Sequence, residues 1–282
     1  MLFKNQYYYF IAGLPDFTFD SMKLPFTVGQ FSEMLSEELK RKDYELLKKY
    51  FLSFDNENLI KLLNDKEAQL HPMGTLSREE LLETIELLRE DVEVKSKTVP
   101  QYYLTFIRKW LGEESHEQTR VWEDLLTSLY TEYGLEVKNT LMSRWFEMNM
   151  DVNNILSAIY AKKHGLEVSK AVVGNNVVAR TIRENSNLRD FGLSLEFENF
   201  EMIQRISDED DIYERERKID KYRWDWLEEN TVFDYFNIEY IFAYLCKLQI
   251  LERWVSLNAE EGERIFRALI DSLKNEVDVP KE

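Results

Sequence analysis

Cysteine, histidine, proline and glycine are all scarce in this 282-residue chain. One cysteine, Cys246, leaves no disulfide framework within the chain, and its place between Leu245 and Leu248 reads as a small buried hydrophobe. Three histidines, His71, His116 and His164, give metal binding or general-base chemistry few places to live. With nine glycines and five prolines there is no Pro-rich or Gly/Ser-rich linker, so one domain spanning residues 1–282 is expected. Positive charge is also short: 36 Lys and Arg face 53 Asp and Glu, a net charge of −17. Such a chain repels phosphate backbones and anionic lipid, and no nucleic-acid partner is expected. The basic clusters Lys40-Arg41-Lys42, Lys48-Lys49 and Lys162-Lys163-His164 each sit beside acidic residues.

Long apolar runs are missing as well. Tyr7 to Leu14 is too short to cross a bilayer and lacks the pattern of a signal peptide, while Phe236 to Leu257 is interrupted by Glu239, Lys247, Glu252 and Arg253. We therefore expect a cytoplasmic protein that meets a membrane only through partner subunits. No Gly-rich phosphate loop or nucleophile elbow occurs. No catalytic residue, cofactor or metal is expected.

What is present is helical periodicity, carried by a composition 44% hydrophobic and 13% aromatic that can bury a core. Phe31, Met34, Leu35, Leu39 and then Tyr44, Leu47, Tyr50, Phe51 recur at three- and four-residue steps, which predicts two amphipathic helices. A further helix is predicted to begin at Asp55 and run to Leu63. His71-Pro72-Met73-Gly74 breaks the pattern, and Ser77-Arg78-Glu79-Glu80 reads as a capping box. Helices are predicted over Tyr102 to Leu111, Val121 to Tyr133, Phe197 to Ile206, Asp211 to Glu228, Ile238 to Leu257 and Ala259 to Leu273. In Asp151 to Gly165 the signals agree: Asp151 as N-cap, a stripe of Val152, Ile155, Leu156, Ile159 and Tyr160, lysines in the last turn, and Gly165 as left-handed terminator. Val172 to Val178 reads as a turn. Tyr7 to Pro15 fits either a strand or the start of a buried helix, which Gly13 and Pro15 end in both cases.

The fold class is thus all-α, a multi-helix bundle. Asp55 to Leu63 can be laid over Asp151 to Ile159 with Asp, Asn and apolar phase in step, and a looser copy starts at Asn237. Three pseudo-symmetric units, about 1–98, 99–190 and 191–282, would follow from a true repeat.

Candidate chemistry is thin. Glu113 and His116 have di-iron-like spacing, but neither other histidine has a carboxylate three residues before it. Asp208-Glu209-Asp210-Asp211 with Glu214 is similar to the aspartate-rich motif of all-α isoprenoid synthases, an alternative enzyme reading. Its neighbours Arg215, Arg217 and Lys218 instead suit ion pairs along one charged helix. The aromatic residues Tyr222, Trp224, Trp226, Phe233, Tyr235 and Phe236 could line a pocket, although aromatics at helical spacing are usually core. Glu252-Arg253-Trp254 could tie helices together or sit at an interface.

Two segments resemble the C subunit of V-type ATPases, called d in the eukaryotic enzyme. Met150 to Gly165 is similar to that family's Asp-x-x-Asn helix ending in basic residues and Gly, with Asp151 and Asn154 at the matching positions. Ile238 to Lys247, continuing to Glu252-Arg253, resembles its Ala-Tyr-Leu helix. The whole chain also resembles a bacterial family of uncharacterised proteins encoded alongside V-type ATPase genes. The shared runs are Tyr8 to Pro15, Asp190-Phe191-Gly192-Leu193, Glu214-Arg215-Glu216 through Trp224-Asp225-Trp226-Leu227, and Glu252-Arg253-Trp254. The third copy departs from the pattern, with Asn237 where Asp would stand.

The resemblance implies a funnel-like, pseudo-threefold, non-catalytic subunit. It would sit on the cytoplasmic end of the membrane rotor ring and receive the tip of the central stalk, coupling ATP chemistry to ion transport. Asp151, Asn154, Trp224, Trp226, Glu252, Arg253 and Trp254 are then the residues expected to brace the fold or meet those partners. A helical adaptor unrelated to the ATPase is the other non-enzymatic reading.

Overall fold

Several helix starts in this chain are marked by polar side chains that take up the first free backbone amides. Thr27 and Gln30 form a reciprocal capping box at one start, with Gln30 N–H donating to Thr27 Oγ1 at 3.1 Å and Thr27 N–H to Gln30 Oε1 at 2.9 Å. Ser77 and Glu80 form the predicted box at another. Asn139 and Asn176 cap two more through their side-chain oxygens.

The computed structural model describes residues 5–92, 94, 98–113, 119–194 and 197–277. Among these residues twelve α-helices and no strand are formed, so the all-α expectation holds. They are α1 (Tyr8–Ala12), α2 (Val28–Glu38), α3 (Arg41–Asn64), α4 (Arg78–Arg89), α5 (Gln101–Gly112) and α6 (Thr119–Leu135). Then follow α7 (Thr140–Lys163), α8 (Val168–Ala171), α9 (Val177–Glu184), α10 (Phe200–Ser207), α11 (Ile212–Thr231) and α12 (Ile238–Val277).

Three predicted boundaries move. Asp55 does not begin a helix: it lies inside α3, because nothing between Phe54 and Asp55 interrupts backbone hydrogen bonding. Asp151 likewise lies within α7, whose cap is Asn139, with Met142 N–H donating to Asn139 Oδ1 at 3.0 Å. The predictions over Ile238 to Leu257 and Ala259 to Leu273 merge into α12, since no Gly or Pro separates them. The end of α7 is as expected: Gly165 has φ +67°, and Leu166 N–H returns to the Ala161 carbonyl at 2.8 Å.

The helices form two compact units. One is continuous, Lys40–Ile219, and holds α3 to α10 with the first part of α11. Its core includes Leu59, Leu81, Tyr103, Phe106, Ile107, Trp110, Leu126 and Phe146, all buried, on faces of α3 to α7. Rings meet there edge-on, as in Phe106 with Trp122 at 5.9 Å and Tyr130 with Phe146 at 5.2 Å.

The other unit is assembled from Met1–Leu39 and Asp220–Glu282. Its described helices are α1, α2, the rest of α11 and α12. Phe31 of α2 stacks on Phe26 at 5.4 Å and meets Tyr244 of α12 at 5.1 Å. Phe17 packs edge-on against both Trp224 and Tyr244, and Phe19 against Trp224. The Tyr244 hydroxyl donates to the Pro15 carbonyl at 2.9 Å, which satisfies the one polar atom this ring carries inward.

Candidate functional site

The Asp-x-x-Asn spacing puts two polar side chains one turn apart on a helix face. In the continuous unit this occurs twice, on α3 and α7, and in both places the pair clamps the loop that leads to a later helix. On α3, Asn58 Oδ1 accepts from His71 N–H at 2.6 Å while its amide donates to the His71 carbonyl at 3.2 Å. On α7, Asn154 does the same to Val173, accepting from its N–H and donating to its carbonyl, both at 2.9 Å. Each asparagine therefore acts as a strand edge of one residue, satisfying a backbone donor and acceptor together.

The aspartates hold the residues just beyond. Asp55 Oδ1 accepts from Thr75 N–H at 2.8 Å and Leu76 N–H at 2.9 Å, and Oδ2 from the Thr75 hydroxyl at 2.8 Å. Those residues directly precede Ser77, the cap of α4. Asp151 Oδ1 accepts from the Asn176 amide at 2.6 Å, and Asn176 is itself the cap of α9. In both clamps the aspartate thus fixes the entry to the next capped helix. Burial raises the Asp55 carboxyl despite the donors from Leu76 and Thr75. Burial likewise pushes Asp151 up to about 6, against the Asn176 hydrogen bond and with the nearby charge of Glu147.

A glycine stands at each clamp. A Cβ on Gly74 would lie 2.4 Å from Asn58 Nδ2 and 2.9 Å from Asp55 Oδ1, and one on Gly174 would lie 2.7 Å from Met150 Sδ. Gly174 also has φ +73°. The third copy is put to another use. Asn237 caps α12, with Tyr240 N–H donating to its Oδ1 at 3.2 Å, and sits outside this clamp geometry.

In the discontinuous unit the polar centre is Asp220, which the sequence reading passed over. Its buried carboxylate accepts from Arg223 at 2.9 Å, Arg253 at 3.0 Å and the Trp254 indole N–H at 3.0 Å. Trp254 is buried and packs with Trp224, Phe19 and Ile250. Trp224 donates its indole N–H to Glu228 at 2.9 Å and lies under the Lys247 ammonium at 5.2 Å. Glu252 turns to α2, where its Oε1 accepts from Val28 N–H at 3.1 Å, placing negative charge at a helix N-terminus.

The structure therefore brings Trp224, Arg253 and Trp254 into one neighbourhood around Asp220 and α11. Trp226, two residues from Trp224, projects from another side of α11 and is only half-buried. Asp151 and Asn154 belong to the clamp on α7, and Asp151 is not the cap it was expected to be. The signal that could have found Asp220 is helical phase. It lies one turn before Trp224, on the stripe that continues to Leu227, inside a segment whose charge suggested a solvated face.

The acidic run serves the junction of α10 and α11. Asp208 terminates α10, and Asp211 caps α11 by accepting from Tyr213 N–H at 2.8 Å and Glu214 N–H at 3.1 Å. Glu209 pairs with Lys218, whose ammonium hydrogen bond holds its carboxyl below the usual range. His71 stacks on Phe54 at 4.5 Å and accepts from Met73 N–H through Nδ1. His116 lies outside the described residues. Among the described residues no group of three or more His, Cys, Asp or Glu side chains is arranged to hold a metal ion, and no helix is long and apolar enough to cross a membrane.

Fold and side-chain geometry together define an all-helical protein whose buried polar residues are used as braces between helices and loops. Its family is the one described as Protein of unknown function (DUF2764): that description matches residues 4–277, and the chain belongs to it. No curated protein and no solved structure matches the chain.

Proposed function

We propose that this protein is a non-catalytic subunit of a V-type ATPase or ATP synthase, coupling the central stalk to the membrane rotor ring from the cytoplasmic side. The observation that supports the reading is the doubled clamp. Asp55 and Asn58 on α3 and Asp151 and Asn154 on α7 put the same two residue types to the same structural use. The second pair lies in the segment that resembles the C subunit. A part that transmits torque needs helices locked to their connecting loops, and paired buried clamps supply that stiffness. The second resembling segment contributes Ala243, Tyr244 and Leu245, all buried in α12.

The reading is tested by affinity purification of the tagged full-length chain from native membranes. Stalk and ring subunits should be recovered with it, and association should slow as salt rises if the net charge of −17 steers a basic stalk tip. Recovery of an intact ATPase that lacks this chain sinks the proposal and leaves the unrelated helical adaptor. A thermal shift with magnesium and a diphosphate would instead favour the isoprenoid-type enzyme.

A further inference from the structure

In the discontinuous unit, Tyr7 N–H donates to the Phe236 carbonyl at 2.7 Å and the Tyr8 ring packs on Phe236 at 4.6 Å. These contacts join α1 to the turn between α11 and α12. Around that junction the large apolar side chains point outward. Tyr9 is 97% exposed, Phe233 84% and Tyr235 62%, with Tyr8 and Val232 more than half exposed. Single exposed hydrophobes are ordinary on a folded protein, whereas several large ones gathered at one junction mark a surface that another molecule covers.

The charge beside this surface is mostly negative. Glu229, exposed, and Asp234, half-buried, flank Phe233 and Tyr235 along the chain, while Asp225 pairs with Lys221, Glu228 with Lys247, and Glu239 is buried. The turn is also held in shape, with Asp234 N–H returning to the Thr231 carbonyl at 2.9 Å and the Asn237 amide donating to Asp234. Aromatic side chains on a pre-shaped turn lose little conformational freedom on binding, so they suit the anchoring role.

We propose that the aromatic surface of Tyr9, Phe233 and Tyr235 is a docking site for a cationic amphipathic helix of a partner protein. The apolar face of the helix covers the rings, and its lysines or arginines meet the carboxylates beside them. A second copy of this chain would bring the same acidic charge to the contact, and anionic lipid would be repelled. The inference stands apart from the rotary-ATPase reading and does not need it.

The probe is a fluorescent Leu/Lys amphipathic peptide, titrated into the full chain by anisotropy, with a Leu/Glu peptide of the same pattern beside it. The chain should bind the Leu/Lys peptide more weakly as salt rises and should ignore the Leu/Glu peptide. Tyr9→Ser with Phe233→Ser should weaken binding about tenfold or more, while Leu188→Ser, at a separate exposed position, should leave it unchanged. Circular dichroism of each variant checks that the fold is intact. Equal affinity of wild type and the double variant would reduce the effect to bulk charge attraction and overturn the proposal, as would absence of binding by the wild type. Self-association removed by Phe233→Ser in sedimentation, or flotation of the chain with phosphatidylcholine vesicles, would assign the surface to a second copy or to lipid and overturn it equally.

Discussion

Asp151 sits in α7 with its carboxyl pushed up to about 6 by burial, the Asn176 amide opposing that shift and the Glu147 charge adding to it. A free aspartate titrates near 3.9. Between about pH 4 and 6 the unfolded chain therefore binds fewer protons at this residue than the folded one, and its contribution to stability falls as pH rises through that window. Above it the full penalty applies, on the order of 3 kcal/mol for a shift of roughly two pH units. Asp151→Asn keeps an oxygen to accept from Asn176 and removes the charge. We predict that it raises stability at pH 7 by about 1–3 kcal/mol and flattens the fall between pH 4 and 6. Urea denaturation of wild type and variant across that range checks it, and a loss of stability at pH 7 would show that the carboxylate is needed as a charge. At this scale the sequence was only half legible. Asp followed by an apolar stripe is the ordinary look of an N-cap, but the partner that defines Asp151, Asn176, lies 25 residues downstream, beyond any local pattern. Glu252 shows the same limit, since its partner amide at Val28 is 224 residues away.

At the scale of elements most helices were legible in outline, but α8, α9 and the first half of α7 were not, and α9 begins at Val177, inside the Val172 to Val178 stretch that reads as a turn. The three- and four-residue steps found α2, α5, α6, α10 and α11 within a few residues, and the Ser77 box found the start of α4. Predicted and observed boundaries part where a buried polar pair interrupts the apolar stripe in mid-helix, at Asp55-Asn58 and Asp151-Asn154, because a polar residue there reads as a boundary. What the repeat did signal was the shared use of these pairs. The tightest point of the first clamp is Gly74, where a Cβ would displace both Asn58 and Asp55. Neither side chain can retreat without leaving backbone groups of His71, Thr75 or Leu76 unpaired. Gly74→Ala should therefore cost about 1–3 kcal/mol, the usual range for an overpacked site. Gly112, at the end of α5 with nothing near its Cβ position, is the control, and Gly112→Ala should be neutral or slightly stabilising. Amide hydrogen exchange gives the local readout: Thr75 and Leu76 should lose protection in Gly74→Ala and keep it in Gly112→Ala. Unchanged protection at both amides would mean the clamp adapts without opening.

For the whole molecule, the scarcity of Gly and Pro suggested one continuous domain, yet chain order and packing order are different properties. A linker is needed only where two units are joined by free chain, and here α11 carries the sequence from one unit into the next without a break, Ile219 ending one and Asp220 beginning the other. Composition cannot register such a join. The units also differ in what holds them. In Lys40–Ile219 most helices pack on near neighbours in sequence, α4 on α5, α5 on α6 and α6 on α7 around the buried set from Leu59 to Phe146, and α7 on α8 and α9, with α3 on α6 and α7 on α10 as the longer-range pairings. The other unit depends on contacts between the two ends of the chain, such as Val28 with Glu252 and Phe31 with Tyr244. Local contacts form quickly and need little loop closure, whereas end-to-end contacts must close a long loop. The fragment Lys40–Ile219 should then fold alone. We expect it to show a strongly helical far-UV signal and a single cooperative urea transition, with a smaller denaturant slope than the full chain because less surface is exposed on unfolding. Mixing the two remaining segments as separate peptides should give little helix, since the connection that brings them together is gone. A broad, non-cooperative transition in the fragment would show that its core is completed by the rest of the chain, and the single-domain reading of the sequence would then be the better description of how this protein folds.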